Sequence, residues 1–155
     1  MNISTKQPDF PGYQKIWFKL KRDVDGYPPD DWETMWAQKI SANQFQIDNV
    51  PFYVQGVSNQ DIVEVTNQEK ELHFYRVIQP SMNSVIRIIV YEDIDVIEVK
   101  NILRSMQCSI EVSHIERFLA VDIPPAASIQ LIREYLDKGE QEERWSYEEG
   151  CIRHR

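Results

Sequence analysis

The chain has 155 residues, 42% of them apolar and 11% aromatic, enough for one ordinary domain or two small ones sharing a core. Its formal charge is −8, from 25 acidic against 17 basic side chains, and no Lys/Arg run is longer than Lys21–Arg22, so nucleic acid is a poor partner and a basic protein a good one. No stretch of about 18 apolar residues is present to span a membrane, and MNISTKQPDF lacks the build of a secretory signal, so a soluble, cytoplasmic protein is expected.

Residues 1–9 are polar and carry no apolar period, which predicts a disordered tail, with order beginning near Phe10. From Lys15 to Lys21 the apolar Ile16, Phe18 and Leu20 alternate with their neighbours, the period of a half-buried strand. DVDGYPPDD then breaks any regular element, because Gly26 permits positive φ and the two prolines remove donors. Beyond it, TMWAQKI, QFQIDN, DIVEVT and LHFYRVIQ read as short strands separated by turn-rich segments, the spacing of a small antiparallel, barrel-like sheet. Residues 10–80 are therefore expected to form a β-rich lobe.

The rhythm then changes. SVIRIIVYE is apolar at nearly every position, as a strand covered on both faces would be, and DVIEVKNILRSM places Val96, Val99, Leu103 and Met106 at helical spacing. Asp95 with Glu98 predicts a capping box at its start. CSIEVSH and RFLAVDI read as two strands joined near Ile115 and Glu116. PPAASIQLIREYLDKG reads as a helix with proline at its start and Gly139 at its end, and RWSYEEGCI closes as a strand. The order strand, helix, strand, strand, helix, strand over 84–153 predicts a ferredoxin-like βαββαβ lobe, packed on the first through a short joint at Gln79–Ser84. The expected class is α+β.

Few residues suggest chemistry. His73, His114 and His154 are widely spaced, so no metal or other cofactor is expected. Cys108 and Cys151 show no CxxC spacing and are read as buried small hydrophobes. There is no GxSxG elbow, and five glycines provide neither a GxGxxG nor a Walker loop. What remains is acidic. Asp30, Asp31 and Glu33 crowd behind the proline pair, where a short helix or bend would turn Trp32 and Trp36 to the core and the carboxylates to water. GEQEERWSYEE surrounds Trp145 and Tyr147 with glutamates, and strand alternation would put both rings on one face with Glu149, and Glu148 on the other.

The combination of DGYPPDDWETMWA, IDNVPFYVQGVSNQDIVEV, SVIRIIV and CSIEVSHIERFLAVDIP resembles a family of small bacterial proteins, the domain of unknown function 4265 family. Trp36, Asn49, Pro51, Phe52, Asp61 and Arg87 match its pattern, and Gln60 stands where that pattern has glycine. The resemblance implies no reaction; by analogy it suggests immunity proteins, which neutralise a toxin by tight binding.

The expectation is thus a non-enzymatic, acidic protein that occludes the active site of a cognate bacterial toxin. Its partner-binding residues would be Asp30, Asp31, Glu33, Glu142, Glu143, Trp145 and Glu148. Two other classes compete with it. One is a small metal-assisted hydrolase using Asp30, Asp31, Glu33 and Asp48, and the other is a ligand-sensing ferredoxin-like module.

Overall fold

The computed structural model describes residues 2–3 and 12–155. The elements run β1 (Asn2–Ile3), β2 (Tyr13–Lys19), β3 (Trp32–Lys39), β4 (Gln44–Ile47), β5 (Ile62–Gln68), β6 (Glu71–Gln79), β7 (Ser84–Val90), α1 (Asp93–Ser105), β8 (Ser109–Val112), β9 (Phe118–Ile123), α2 (Ile129–Gln141) and β10 (Trp145–Cys151). The class is α+β, with one sheet in each half of the chain. Among the described residues no helix is long and apolar enough to cross a membrane.

In the first sheet, β2 to β6 pair antiparallel in sequence order, each with the next. An odd number of alternating strands leaves the first and last running the same way, so β6 returns to β2 as a parallel pair, Ile16 opposite Leu72 and Trp17 opposite His73. β1 adds a second parallel pairing, to Glu33 and Thr34 on β3. Asn2 and Ile3 of the expected tail are therefore strand residues; its remaining positions and Phe10 lie outside the described residues. Period-2 alternation sends Ile16, Phe18, Met35, Ala37, Phe45, Ile47, Val63 and Val65 into one core.

The expected short helix after the proline pair is absent. A loop closed by Leu20 N–H to the Asp31 carbonyl (2.8 Å) and Asp23 N–H to the Tyr27 carbonyl (2.7 Å) leads straight into β3. Gly26 sits in this turn at φ +80°, a conformation that favours glycine. Because Met35 and Ala37 must point inward, the same alternation turns Glu33 inward, and Trp32 and Trp36 go to the other face. This reverses the expected arrangement of tryptophans inside and carboxylates outside. On that outer face Trp17, Trp32 and His73 meet, and the Lys15 and Lys19 ammonium groups lie over Trp36 and Trp32.

The second sheet is antiparallel throughout, in the order β10-β7-β9-β8. Ile86, Ile88, Val90, Leu119, Val121 and Trp145 pack with Val99 and Leu103 of α1 and Ile132 and Leu136 of α2. Alternate residues face the first lobe, where Val85, Phe118, Ala120 and Cys151 complete the first lobe's core. Apart from Ile89, β7 is thus covered on both sides, which accounts for its almost continuous apolar run.

The helix boundaries differ from expectation. α1 begins at Asp93, with Glu92 at the N-cap and no side-chain cap. Asp95 and Glu98 form no capping box there, and both bind Arg144 (2.6 and 2.8 Å). In α2 both prolines precede the helix, and Ser128 caps it by accepting from Leu131 N–H at 3.2 Å. Gly139 lies inside α2 rather than ending it: a Cβ there would stand 1.8 Å from the Trp145 ring.

Candidate functional site

The two lobes meet around residues 52–54, in the long connection between β4 and β5. Glu33, 2% exposed, accepts from the N–H groups of Phe52 (2.6 Å), Tyr53 (3.0 Å) and Val54 (2.9 Å). Arg87 of β7, 1% exposed, donates through Nε to the Phe52 carbonyl (2.7 Å) and through Nη2 to the Val54 carbonyl (2.6 Å). A carboxylate from one lobe thus holds the segment's donors while a guanidinium from the other holds its acceptors. Burial pushes the Glu33 carboxyl above its ordinary range, opposed by the three N–H donors and by Arg87. Burial lowers the Arg87 pKa, opposed by Glu33 and Glu148. Arg87 Nη1 has no hydrogen-bond partner among the described residues and lies against Gly150, where a Cβ would come within 1.4 Å.

A second junction is polar. Asp61 is fully buried and accepts from Ser58 N–H (3.0 Å), Ser81 N–H (2.9 Å) and both terminal nitrogens of Arg153 (2.8 Å each). Burial alone would raise its pKa; Arg153 and the two N–H donors hold it below the usual carboxylate value. Nearby, Asp122 of β9 accepts from Asn59 and Asn83, and burial pushes its carboxyl up. Ser84 Oγ lies 2.6 Å from His154 Nδ1, whose Nε2 is 2.9 Å from the Pro124 carbonyl. A carbonyl can only accept, so Nε2 is the donor in the Pro124 contact.

Beyond the Arg87 clamp, on the side away from the polar junction, the sheet of the second lobe is left partly uncovered. A hollow of about 210 Å³ is lined by Tyr27, Arg87, Ile89, Phe118, Ser146, Tyr147 and Glu148. A second, of about 300 Å³, shares Tyr27, Ile89 and Phe118 and extends to Asp25, Pro29, Tyr53, Ile115 and Glu116. Tyr27, Ile89 and Ile115 are 39–47% exposed around the buried Phe118 ring. Burial, followed by Tyr27, Asp30 and Glu33, pushes Tyr53 up to about 12, and burial also raises Tyr27, so both phenols stay protonated at neutral pH.

The residues expected to bind a partner do not form one surface. Asp31 is exposed and paired with Arg22 (3.0 Å), and Asp30 is half-buried. Glu33 is interior with both oxygens committed to backbone N–H groups, so the Asp30, Asp31, Glu33 cluster is not assembled. Asp48 accepts from the Tyr13 hydroxyl at 2.8 Å. Glu142 and Glu143 are exposed at the end of α2. Trp145 is also interior, 1% exposed, its Nε1 donating to the Leu136 carbonyl at 3.0 Å. The alternation expected in β10 is present, but α2 covers the Trp145 face: the Tyr147 hydroxyl donates to Asp137, and Arg133 grips Glu149 at 2.7 Å. Glu148, on the opposite face, reaches the crevice.

Both cysteines are free and buried, Cys151 in the first core and Cys108 in the second, so no disulfide joins them. Burial pushes the Cys108 thiol up to about 12. Ile89 and Phe118 carried no signal in the sequence, since an apolar residue inside an apolar run looks the same whether the neighbouring lobe covers it or stops short, and Tyr27 stood in a turn-rich loop whose packing partner lies far along the chain.

Phe52, Asp61 and Arg87, three of the positions that carried the family resemblance, lie at the junctions. The Asn49 side chain accepts from Trp36 N–H, Phe52 lies between Glu33 and Arg87, and Asp61 holds Arg153. Gln60, at the glycine position of that pattern, has φ +71°, in the left-handed region.

The fold is similar to that of a hypothetical protein from Neisseria gonorrhoeae, known from a crystal structure. The TM-score is 0.74 at 22% identity, covering 89% of this chain and 94% of that one. No curated protein matches this chain. The family model described as domain of unknown function (DUF4265) matches residues 33–147, well over half of the sequence and spanning both lobes, so the chain belongs to the DUF4265 family.

Proposed function

We propose that this chain is a protein-binding module that engages a basic partner at the crevice between its lobes. The observation that carries this reading is the uncovered apolar opening of Tyr27, Ile89 and Ile115 around Phe118, bordered by Asp25, Glu116 and Glu148. Contiguous exposed apolar groups ringed by polar ones mark interaction sites, and an acid excess steers basic partners to them. Asp31, Glu142 and Glu143 add to the field from the surrounding surface. A bacterial toxin with a basic substrate groove is the partner that the charge balance favours within this reading, as for an immunity protein.

The lobes supply a rigid frame for such a site. We read the first as a small closed barrel, supported by its five-strand circuit of pairings, and the second as a ferredoxin-like unit, supported by the order β10-β7-β9-β8 with a helix in each crossover. The test is retention of proteins from the source cells on the immobilised chain at about 0.05 M and about 0.5 M salt, where screening lengths differ several-fold. A basic protein held at low salt, released at high salt and not held by an Ile89→Asp variant is the expected result. Retention indifferent to both changes, or no retention, would count against the reading.

A further inference from the structure

Building on that reading, we infer that the crevice is the socket for one basic side chain of the partner, arginine in preference to lysine, with an apolar residue beside it in the partner's chain. Glu148 stands at the edge of the hollow. Its carboxylate is 44% exposed, and its cation contact among the described residues is Arg87 Nε at 3.5 Å. That nitrogen already donates to the Phe52 carbonyl at 2.7 Å, and Nη2 to the Val54 carbonyl. Arg87 therefore uses little of the acceptor capacity of Glu148, which lines the hollow.

Charge points the same way. The two hollows together are lined by three carboxylates, Asp25, Glu116 and Glu148, against one guanidinium, Arg87, an excess of two negative charges. Arg117 lies 3.3 Å from Glu116 and offsets part of that excess, so Glu148 and Asp25 are the acids left for an incoming cation. An anion is the poorer fit, because Arg87 is 1% exposed and an anion would meet Glu148 beside it. Its unpaired Nη1 faces Gly150, so it offers an anion no approach.

The walls distinguish arginine from lysine. Tyr27 and Phe118 present aromatic surface beside the carboxylates, and a guanidinium stacks on rings and loses less hydration than an ammonium. The molecule contains the same combination elsewhere: Arg144 lies 4.9 Å over the Trp145 ring while bonding Asp95 and Glu98. Ile89 and Ile115, both exposed, would take the apolar neighbour.

The test is a random-peptide display selection against the full chain, followed by affinity measurement with Glu148→Gln and Ile89→Asp variants. Both positions are about half exposed, so the fold should tolerate either change. The expected result is enrichment of peptides with arginine next to an aliphatic or aromatic residue, binding about tenfold more weakly to Glu148→Gln and undetectably to Ile89→Asp. Peptides that need Ile89 but lack a basic residue, or bind Glu148→Gln undiminished, would overturn the basic anchor and leave the docking crevice standing. Failure to enrich any peptide, or indifference to Ile89→Asp, would overturn both. Agmatine, a small guanidinium compound, binding as tightly as the best peptide would overturn the assignment of a protein as its source.

Discussion

Glu33 shows how much one buried side chain can organise. It holds three consecutive N–H groups of the segment that Arg87 grips from the other side, so its removal orphans those donors and leaves a buried guanidinium with less compensation. Glu33→Ala should lower stability by about 3–5 kcal/mol in urea unfolding, the range for breaking a buried charge pair; a loss of less than about 1 kcal/mol would show that the clamp is incidental. Asp61 gives a pH signature. Its folded pKa is depressed, so its stabilisation is present above the unfolded value of about 3.9 and is lost as pH falls through the lower folded value. Asp61→Asn should therefore cost about 3 kcal/mol at pH 7 and progressively less below about pH 3.9; a gap constant down to pH 2 would refute the linkage.

At the scale of elements, Gly139 in α2 offers a test whose sign depends on packing. In an isolated helix Gly→Ala stabilises by about 1 kcal/mol. Here the new methyl group would enter the Trp145 ring, and overpacking of that kind costs about 1–3 kcal/mol. Gly139→Ala should lower the Tm, and a Tm equal to or above the parent's would mean that Trp145 moves aside at little cost. The example also shows which parts of the fold were legible. Strands β2 to β10 correspond to runs with period-2 or continuous apolar character, and both helices to 3.6-residue spacing, because periodicity is written into each segment alone. The capping box at Asp95 and the stop at Gly139 were misread, because those residues answer to Arg144 and Trp145, which arrive from elsewhere in the chain. The stretch around Asp30 to Trp36 was misread for a related reason. Residues at i and i+4 share a face in a helix and in a strand alike, so the spacing of Trp32 and Trp36 left the element undecided, and Met35 and Ala37 decided it by entering the core.

At the scale of the whole molecule, the two lobes share one core and several polar links, among them Glu33 to Arg87 through residues 52–54, Asp61 to Arg153, Asn59 to Asp122 and Asn49 to Glu111. Such coupling predicts a single unfolding transition. A Trp145→Phe variant retains Trp17, Trp32 and Trp36, all in the first lobe, so its fluorescence should give the same urea midpoint as far-UV circular dichroism, which reports both lobes. Separate midpoints would mean that the lobes unfold independently. The sequence by itself determined the α+β class, the order of β2 to β10 with the two helices of the second lobe, and the acidic balance, because these depend on composition and on spacing within short segments. Only the tertiary structure decided that Glu33 and Trp145 are interior, and that Tyr27, Ile89 and Phe118 border an open crevice with Glu148 at its edge. The physical reason is that exposure is set by where one lobe stops covering the other, a relation between residues far apart in the chain.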